Sequence, residues 1–240
     1  MQPYLLLDAG GTVLFPDHQT IGQVIHEHGY HVPEERLKRS MGEFIRQYDE
    51  RLRSDGQTQF GFYEWVLEQA GVEQTRIPLI VKQLDLMDAE RCLWTYSYPW
   101  AHEALTRLIA QGYRMSIISN ADGRVEMELG KAGLAGSFEK IFDSHIVGYA
   151  KPDVRLFQHA MTTLGLQPEQ CLYVGDVYYV DVLGTNRSGI AAVHLDPYGL
   201  YDGWAGYHIP NVAALPDFLA QGLELRDERF FPLRQRGTEA

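Results

Sequence analysis

The sequence predicts an α/β protein in which a doubly wound, Rossmann-like parallel sheet carries an inserted α-helical cap domain. Short apolar runs of strand length alternate with helix-length amphipathic segments over most of the chain. Such alternation is typical of right-handed crossovers in a parallel sheet that is covered on both faces. One interval, from about residue 20 to residue 91, holds only helical patterns. We therefore predict a core of residues 1–16 and 97–240 and a cap of residues 17–96.

The first core strand is predicted at Tyr4–Leu7, an uninterrupted apolar run that stops at Asp8. The insert follows, and its apolar residues recur at three- and four-residue spacing, which predicts four helices. The residues that mark these helices are, in order, Ile21, Val24, Ile25 and His28; Leu37, Met41, Phe44, Ile45 and Tyr48; Trp65 and Val66; and Ile77, Ile80, Val81 and Leu84.

After Tyr96 the alternation of strands and helices returns. Strands are predicted at residues 115–118, 140–142 and 171–174 and at Ala191–Leu195. Helices are predicted over residues 100–110, from about 123, over 152–164 and through 182. The charged tail after Gln221 is expected to fray at its end. Four aromatic residues should form either a surface patch or an oligomer contact: Tyr198, Tyr201, Trp204 and Tyr207.

Composition and charge exclude several functional classes. The 240 residues are 45% hydrophobic and 22% charged, which is enough to bury a sizeable core. The net charge is −11 and no basic patch is evident, so we expect neither a nucleic-acid partner nor a membrane partner. Cys92 and Cys171 form no C-x-x-C pair, and the first apolar run is too short for a signal segment or a membrane span. The expected localisation is cytoplasmic.

Polar residues of unusual character follow four of the predicted strands. Asp8 follows the first, Ser119 the second, Lys151 comes beyond the third, and Asp176 follows the fourth. Any one of them alone also fits a helix cap or a helix start. In open parallel sheets, however, ligands bind at the carboxyl ends of the strands, near the point where the strand order reverses. The four residues together therefore predict one functional site.

This arrangement resembles the haloacid dehalogenase (HAD) superfamily. Its four motifs are a strand-end Asp-x-Asp-Gly-Thr, a strand-end Ser or Thr, a Lys, and a Gly-Asp-x(3 or 4)-Asp. The corresponding segments here are Asp8-Ala-Gly-Gly-Thr12, Ser119-Asn120, Lys151-Pro152 and Gly175-Asp176 through Asp181. The likeness extends over about residues 4–196, and the helical insert stands where subfamily I members carry a C1 cap.

The resemblance implies hydrolysis of phosphate monoesters through an aspartyl-phosphate on Asp8, with Mg²⁺ as the cofactor and a small phosphorylated metabolite as the partner. The implied Mg²⁺ ligands are Asp8, the backbone carbonyl of Gly10, Asp176 and Asp181. The implied phosphate-binding residues are Thr12, Ser119, Asn120 and Lys151, of which Ser119 and Lys151 would also take part in catalysis. The oligomeric state stays open.

Motif one departs from the phosphatases of the superfamily at Gly10. Those enzymes carry a second Asp there, which protonates the leaving oxygen. General acid catalysis contributes roughly 10²- to 10⁴-fold in rate, so the sequence predicts a slow phosphatase. Asp17 and His18, at the start of the insert, are candidates for a replacement acid, although a role as solvated hinge residues fits them better.

Two alternatives to a phosphatase stay open. One is a HAD-like scaffold that binds a phosphorylated ligand or a protein partner and turns over little. The other is a metal-free 2-haloacid dehalogenase, because the motif one of those enzymes, Asp-Ala-Tyr-Gly-Thr, differs from this one at a single position. Dehalogenases, however, carry Ser-Ser-Asn where this chain has Gly175-Asp176-Val177. Phosphonoacetaldehyde hydrolases are disfavoured because Ile45 stands where they need a cap lysine.

Overall fold

The computed structural model describes residues 2–54, 61–222 and 224–233. The chain divides into two compact units. The sheet unit consists of Met1–Leu14 and Ser97–Ala240, and the helical unit of Phe15–Tyr96. No helix within the described ranges combines the length and the apolar character that crossing a membrane requires. The roles of the two units as a catalytic core and a cap stay predictions.

The sheet unit is built on six parallel strands in the order β3-β2-β1-β4-β5-β6. They are β1 (Tyr4–Leu7), β2 (Met115–Ser119), β3 (Ile141–Asp143), β4 (Cys171–Gly175), β5 (Ala191–Leu195) and β6 (Tyr207–Ile209). All neighbouring strands pair in parallel. The predicted α/β fold, with a parallel sheet and a helical insert between β1 and β2, is confirmed. The chain order reverses between β1 and β4, which is where open sheets of this kind bind ligands.

Within its described residues, 15–54 and 61–96, the helical unit contains four helices: α1 (His18–Glu27), α2 (Glu34–Ser54), α3 (Phe62–Gln69) and α4 (Ile77–Arg91). Asp17 caps α1, since its Oδ1 accepts a hydrogen bond of 3.0 Å from the backbone N–H of Thr20. The apolar faces of the helices enclose a separate core. Its buried residues include Ile21, Val24, Ile25, Leu37, Val66, Leu67, Ile77, Ile80 and Leu84.

Helices cover both faces of the sheet. They are α5 (Pro99–Ala110), α6 (Val125–Lys131), α7 (Ser144–Val147), α8 (Val154–Leu164), α9 (Leu183–Asn186) and α10 (Leu215–Leu219). Successive side chains of β1 point to opposite faces. Leu5 and Leu7 pack in one core cluster with Leu105 of α5, whereas Leu6 packs in the other with Phe157 of α8. Burial on both faces explains why β1 is leucine at every position after Tyr4.

The structure differs from the sequence-based expectation in two places. β6 was not predicted, because a three-residue edge strand is too short to show a period of two. The helix predicted through residue 182 begins as a π-helical turn, Tyr178–Val182, before α9. The tail after Gln221 contributes Phe230 and Phe231 to the core, and its end, which is expected to fray, lies outside the described residues at 234–240.

Candidate active site

Three buried carboxylates meet where the strand order reverses. Asp8 directly follows β1, Asp176 follows β4, and Asp181 lies in the π-helical turn. One oxygen of each lies within 4.8 Å of the others. The pairing of the two strands brings them together, because Leu7 stands opposite Val174 and the N–H of Asp8 donates a 2.9 Å hydrogen bond to the Val174 carbonyl.

Lys151 lies inside this cluster with all three of its N–H groups engaged. Its Nζ donates to Asp8 Oδ1 at 2.6 Å, to Asp181 Oδ1 at 2.7 Å and to the Tyr173 hydroxyl at 2.8 Å. The Tyr173 hydroxyl in turn lies 3.0 Å from the Ile118 carbonyl and 3.1 Å from Asp181 Oδ1. Sequence reasoning missed Tyr173. The available signal was a tyrosine inside an otherwise apolar strand, since a buried hydroxyl needs a partner.

Burial and neighbouring charges shift the pKa values of Asp8, Asp176 and Lys151. Burial raises the pKa of Asp8 to about 6, the Lys151 charge opposes this shift, and the Asp181 charge adds to it. Burial and the Asp8 charge raise the pKa of Asp176 well above its usual range. Burial lowers the pKa of Lys151, but its attraction to Asp181 and Asp8 outweighs burial, so the net shift is upward. Keeping all three carboxylates ionised therefore requires more positive charge than one lysine supplies.

The donor set fits a hard divalent cation. Asp176 Oδ1 is buried and has no hydrogen-bond partner among the described residues, although buried carboxylate oxygens normally have one. Three carboxylates beside one ammonium leave two negative charges unbalanced when all are ionised. Clustered oxygen ligands of this charge are what Mg²⁺ binds. The residues present therefore fit the metal that the sequence resemblance implies.

Two glycines let the loops after β1 and β4 approach each other. Gly11 has a φ of 71°, and a Cβ built there would overlap Asp176 Oδ2. A Cβ on Gly175 would lie 2.5 Å from Asp181 Cγ. Side chains at either position would therefore displace a member of the carboxylate cluster.

Gly11→Ala is expected to weaken metal binding by displacing the Asp176 carboxylate, and to destabilise the fold. A non-glycine residue in the left-handed region costs roughly 1–2 kcal/mol. Gly165→Ala is the matched control, because Gly165 has a φ of 68° and open space where the Cβ would go. Calorimetric Mg²⁺ titration should show weaker binding for Gly11→Ala alone, and equal Mg²⁺ affinity of the two variants would contradict the clash.

Asn120 anchors the Lys151 loop. Its Nδ2 donates to the Lys151 carbonyl at 2.9 Å, and the N–H of Lys151 donates to Asn120 Oδ1 at 2.7 Å. Both ends of the amide thus hold Lys151, while the predicted contact of Asn120 with a phosphoryl group stays a prediction. Ser119, the last residue of β2, is buried. Thr12 is fully buried, and its hydroxyl lacks a hydrogen-bond partner within the part of the chain that the structure describes.

Two polar residues at the end of β3, not singled out from the sequence, fix the loop after β2. Asp143 Oδ2 accepts from the N–H of Gly123 at 2.9 Å. The Ser144 hydroxyl accepts from the N–H of Ala121 at 3.0 Å and donates to the Ala121 carbonyl at 3.1 Å. The loop that carries Ser119 and Asn120 is thereby held in one conformation. A polar pair at a strand end was the signal in the sequence.

The two candidates for a replacement acid, Asp17 and His18, are both constrained by their surroundings. Asp17 is engaged in capping α1, with the Thr20 hydroxyl donating to its Oδ2 at 2.6 Å. His18 is buried, and burial together with the Lys38 charge lowers its pKa to about 4, against the opposing charge of Glu34. His18 is therefore neutral near pH 7.

The family model of the haloacid dehalogenase-like hydrolases matches residues 4–189, which span β1 to α9 and contain all the motif residues described above. The chain belongs to the haloacid dehalogenase-like hydrolases. Within this HAD-like hydrolase, Asp8, Lys151, Asp176 and Asp181 occupy the positions at which the sequence predicted the site. The roles of the individual residues stay predictions.

Curated relatives match this HAD-like hydrolase over part of their length. Human haloacid dehalogenase-like hydrolase domain-containing protein 3 is 33% identical over 122 residues, 50% of this chain and 48% of the human protein. Glyceraldehyde 3-phosphate phosphatase of Methanothermobacter thermautotrophicus is 32% identical over 97 residues, 40% of this chain and 43% of that enzyme. The chain thus spans about half the length of these relatives.

Solved structures share the fold at low sequence identity. The HAD-hydrolase YfnB of Bacillus subtilis, solved with bound magnesium, superposes with a TM-score of 0.61 at 18% identity, covering 92% of this chain and 100% of that one. The L-2-haloacid dehalogenase of Xanthobacter autotrophicus superposes with a TM-score of 0.57 at 17% identity, covering 92% and 99%. Likeness at this identity shows the HAD fold, and it does not separate phosphatases from dehalogenases.

Proposed function

We propose that this HAD-like hydrolase is a Mg²⁺-dependent phosphatase that acts on small phosphorylated metabolites, with Asp8 as its nucleophile. The observation that carries the proposal is that the buried Oδ1 of Asp176, beside Asp8, has no hydrogen-bond partner among the residues that the structure describes. A metal-free dehalogenase has no use for a second carboxylate next to its nucleophile, since that charge raises the pKa of the nucleophile and weakens it. Relatives named glyceraldehyde 3-phosphate phosphatase and phosphoserine phosphatase support a phosphorylated substrate.

The chain's own residues suit a two-step transfer. The Asp8 carboxylate bonds to phosphorus as the bond to the leaving oxygen breaks, and water then hydrolyses the aspartyl-phosphate to free carboxylate and inorganic phosphate. Lys151 orients Asp8 through Oδ1 and offsets the negative charge that collects there. Asp8, Asp176, Asp181 and the Gly10 carbonyl would hold Mg²⁺, which would supply charge stabilisation for the transferring group. Ser119 and the loop held by Asp143 and Ser144 bind a phosphoryl oxygen.

Gly10 limits the rate in this proposal. No side chain at that position delivers a proton to the leaving oxygen, so departure depends on how well the leaving group carries negative charge. Aryl and acyl phosphates are therefore expected to react faster than alkyl phosphates. The same observation favours the second candidate, a scaffold that binds a phosphorylated ligand with little turnover.

An assay over a panel of phosphate esters, with Mg²⁺ and with a chelator, tests the proposed function. The expected result is Mg²⁺-dependent phosphate release that is fastest for aryl and acyl phosphates. Ester binding by calorimetry without phosphate release would favour the scaffold. Metal-independent halide release from 2-chloropropionate would overturn the assignment in favour of a dehalogenase.

Asp176→Asn is expected to weaken Mg²⁺ binding and to raise the Mg²⁺ concentration needed for half-maximal rate. One full ligand charge is lost, and even an outer partner of a metal ligand contributes about tenfold or more in affinity. Titration of both activity and heat of binding with Mg²⁺ measures the effect. Asp217→Asn, which removes an exposed carboxylate that pairs with Arg107, is the control. An unchanged Mg²⁺ requirement in Asp176→Asn would place the cation elsewhere.

A further inference from the structure

One peptide group next to the carboxylate cluster is held at both of its polar ends by side chains. This group joins Asp176 to Val177. Its N–H, on Val177, donates to Asp181 Oδ2 at 2.9 Å. Its carbonyl, on Asp176, lies 2.8 Å from Nε2 of His194. The orientation of the peptide plane fixes the backbone of Asp176, and with it the direction of a carboxylate that has no hydrogen bond of its own at Oδ1.

His194 reaches this carbonyl from the neighbouring strand. It lies in β5, opposite Gly175 of β4, and its side chain is 1% exposed. A carbonyl oxygen only accepts hydrogen bonds, so the proton of His194 must reside on Nε2. Nδ1 of the neutral ring is then an acceptor. Burial, reinforced by the neighbouring His208, lowers the pKa of His194 to about 3, which is consistent with a neutral ring.

His208 packs against Nδ1 of His194 from the neighbouring strand. It lies in β6, directly opposite His194, and the two Nδ1 atoms are 2.9 Å apart. Its Nε2 lies 3.1 Å from the Trp204 carbonyl, which keeps its ring from turning. The chain of contacts therefore runs from β6 through His208 and His194 to the Asp176 carbonyl. The Asp176 carbonyl selects the His194 tautomer with its proton on Nε2, and His208 fixes the place of the His194 ring.

Aromatic packing holds both imidazoles in place. The His194 ring lies edge-on to Tyr201, with a centroid distance of 4.3 Å, and the His208 ring is stacked on Tyr178 at 6.1 Å. Tyr178 is fully buried, and its hydroxyl donates to the Ala205 carbonyl at 2.8 Å. Tyr201 is buried against both histidines, whereas Tyr198 is exposed, so the four aromatic residues do not form one surface patch. An oligomer contact stays a prediction.

We propose that His194 is a positioning residue for Asp176: by donating to the Asp176 carbonyl, with its ring held beside His208, it aims the Asp176 carboxylate at the cation. The inference deepens the proposed function and rests on it for the identity of the cation. It assigns a role to the β5–β6 edge of the sheet, which the catalytic motifs do not include. His194 contacts no reacting atom, so its effect is on metal affinity and on the mobility of one peptide group.

Two substitutions of His194 separate the hydrogen bond from the packing. His194→Asn removes the donor, because its amide nitrogen reaches only as far as Nδ1 of the imidazole. His194→Gln restores a donor near the position of Nε2. In calorimetric titrations with Mg²⁺ alone, His194→Asn should lose roughly 10- to 100-fold in affinity, the effect typical of an outer partner of a metal ligand, whereas His194→Gln should recover most of it. His159→Asn, at an exposed histidine of α8, is the control.

Hydrogen exchange of the Val177 amide supplies a second readout that needs neither metal nor substrate. We expect faster exchange in His194→Asn than in the wild type, and near wild-type exchange in His194→Gln. His208→Phe keeps the stacking on Tyr178 but removes both nitrogens, so it should shift affinity and exchange in the direction of His194→Asn. This variant tests the same chain of contacts if His194→Asn does not fold.

The outcomes distinguish this inference from the proposed function. Unchanged Mg²⁺ affinity and unchanged Val177 exchange in folded His194→Asn or His208→Phe overturn the positioning role, as does equal weakening by His194→Asn and His194→Gln. Tight Mg²⁺ binding without turnover of any ester contradicts the proposed phosphatase activity. In that case the Mg²⁺ affinities of the variants still test the role of His194. If the wild-type protein binds no Mg²⁺, the proposed function fails, and the exchange rates alone decide whether His194 holds the peptide.

Discussion

Asp8→Asn is expected to abolish the hydrolysis of phosphate esters, with a loss of at least about 10⁴-fold, the scale reached when a covalent nucleophile is removed. The side-chain amide has nearly the same shape as the carboxylate but is a poor nucleophile. Its oxygen still accepts the hydrogen bond that Lys151 now gives to Asp8 Oδ1. Loss of the reaction should therefore occur without loss of the local geometry.

The stability of Asp8→Asn should equal or exceed that of the metal-free wild type. Burial raises the pKa of Asp8 in the folded protein to about 6, despite the opposing charge of Lys151. A carboxyl group whose pKa is higher in the folded state than in the unfolded state destabilises the fold once the pH rises above its unfolded value, because the folded protein must then give up a proton it holds more tightly. The neutral amide removes this cost, and Lys151 keeps its contact with Asp181.

The measurement combines rates, mass and unfolding. Wild-type protein mixed with an aryl phosphate should gain the mass of one phosphoryl group, and Asp8→Asn should gain none. Chemical unfolding without metal compares their stabilities. Glu126→Gln, which neutralises an exposed carboxylate of α6, should keep both the rate and the labelling. Turnover by Asp8→Asn within a few fold of the wild type, in a preparation free of deamidated protein, would exclude Asp8 as the nucleophile.

The sequence predicts the sheet and the position of the site because both follow from local pattern. β1 and β5 lie at the predicted residues, since buried parallel strands are continuous apolar runs bounded by polar turns. Asp8 and Asp176 are predicted as neighbours because the carboxyl ends of parallel strands share one edge. Neither inference needs any knowledge of which side chains touch.

The contacts missed from the sequence all depend on register across the sheet. His194 meets His208 only because β6 exists and pairs with β5 at that position, and a three-residue strand leaves no periodic trace. Tyr173 contacts Lys151 because side chains alternate between the two faces of β4, and the tyrosine lies on the same face as Lys151. Sequence spacing alone gives no such lateral alignment, so these two contacts emerge only from the structure.

Gly10→Asp is expected to speed the hydrolysis of alkyl phosphates by about 10²-fold while changing that of aryl phosphates little, if the new carboxyl group acts as a general acid. An acid at this place protonates the leaving oxygen, so the gain is largest where the leaving group carries charge poorly. The cluster of Asp8, Asp176 and Asp181 should raise the pKa of the added group, which favours the protonated form that a general acid requires.

The backbone permits this substitution. In the loop after β1, the positive φ that an aspartate resists falls on Gly11, at 71°, and not on Gly10. Gly10→Asn is the matched control: it has the same size and the same backbone demands but no carboxyl proton to give. A gain shared by both variants would come from loop geometry instead of proton transfer.

The decisive measurement is the dependence of kcat/KM on the basicity of the leaving group, taken for the wild type and both variants after each is shown to fold and to bind Mg²⁺. Gly10→Asp should give a shallower dependence than the wild type, and Gly10→Asn should not. Gly10→Asp should also reduce any burst of aspartyl-phosphate formation, because the added carboxylate activates the water of the second step. An equally steep dependence in a folded, Mg²⁺-binding Gly10→Asp would show that the added carboxyl group does not protonate the leaving oxygen, whereas a shallow dependence in the wild type would show that another group already does. Asp17 is occupied as the cap of α1 and His18 is buried and neutral near pH 7, so that group would have to be sought among other residues.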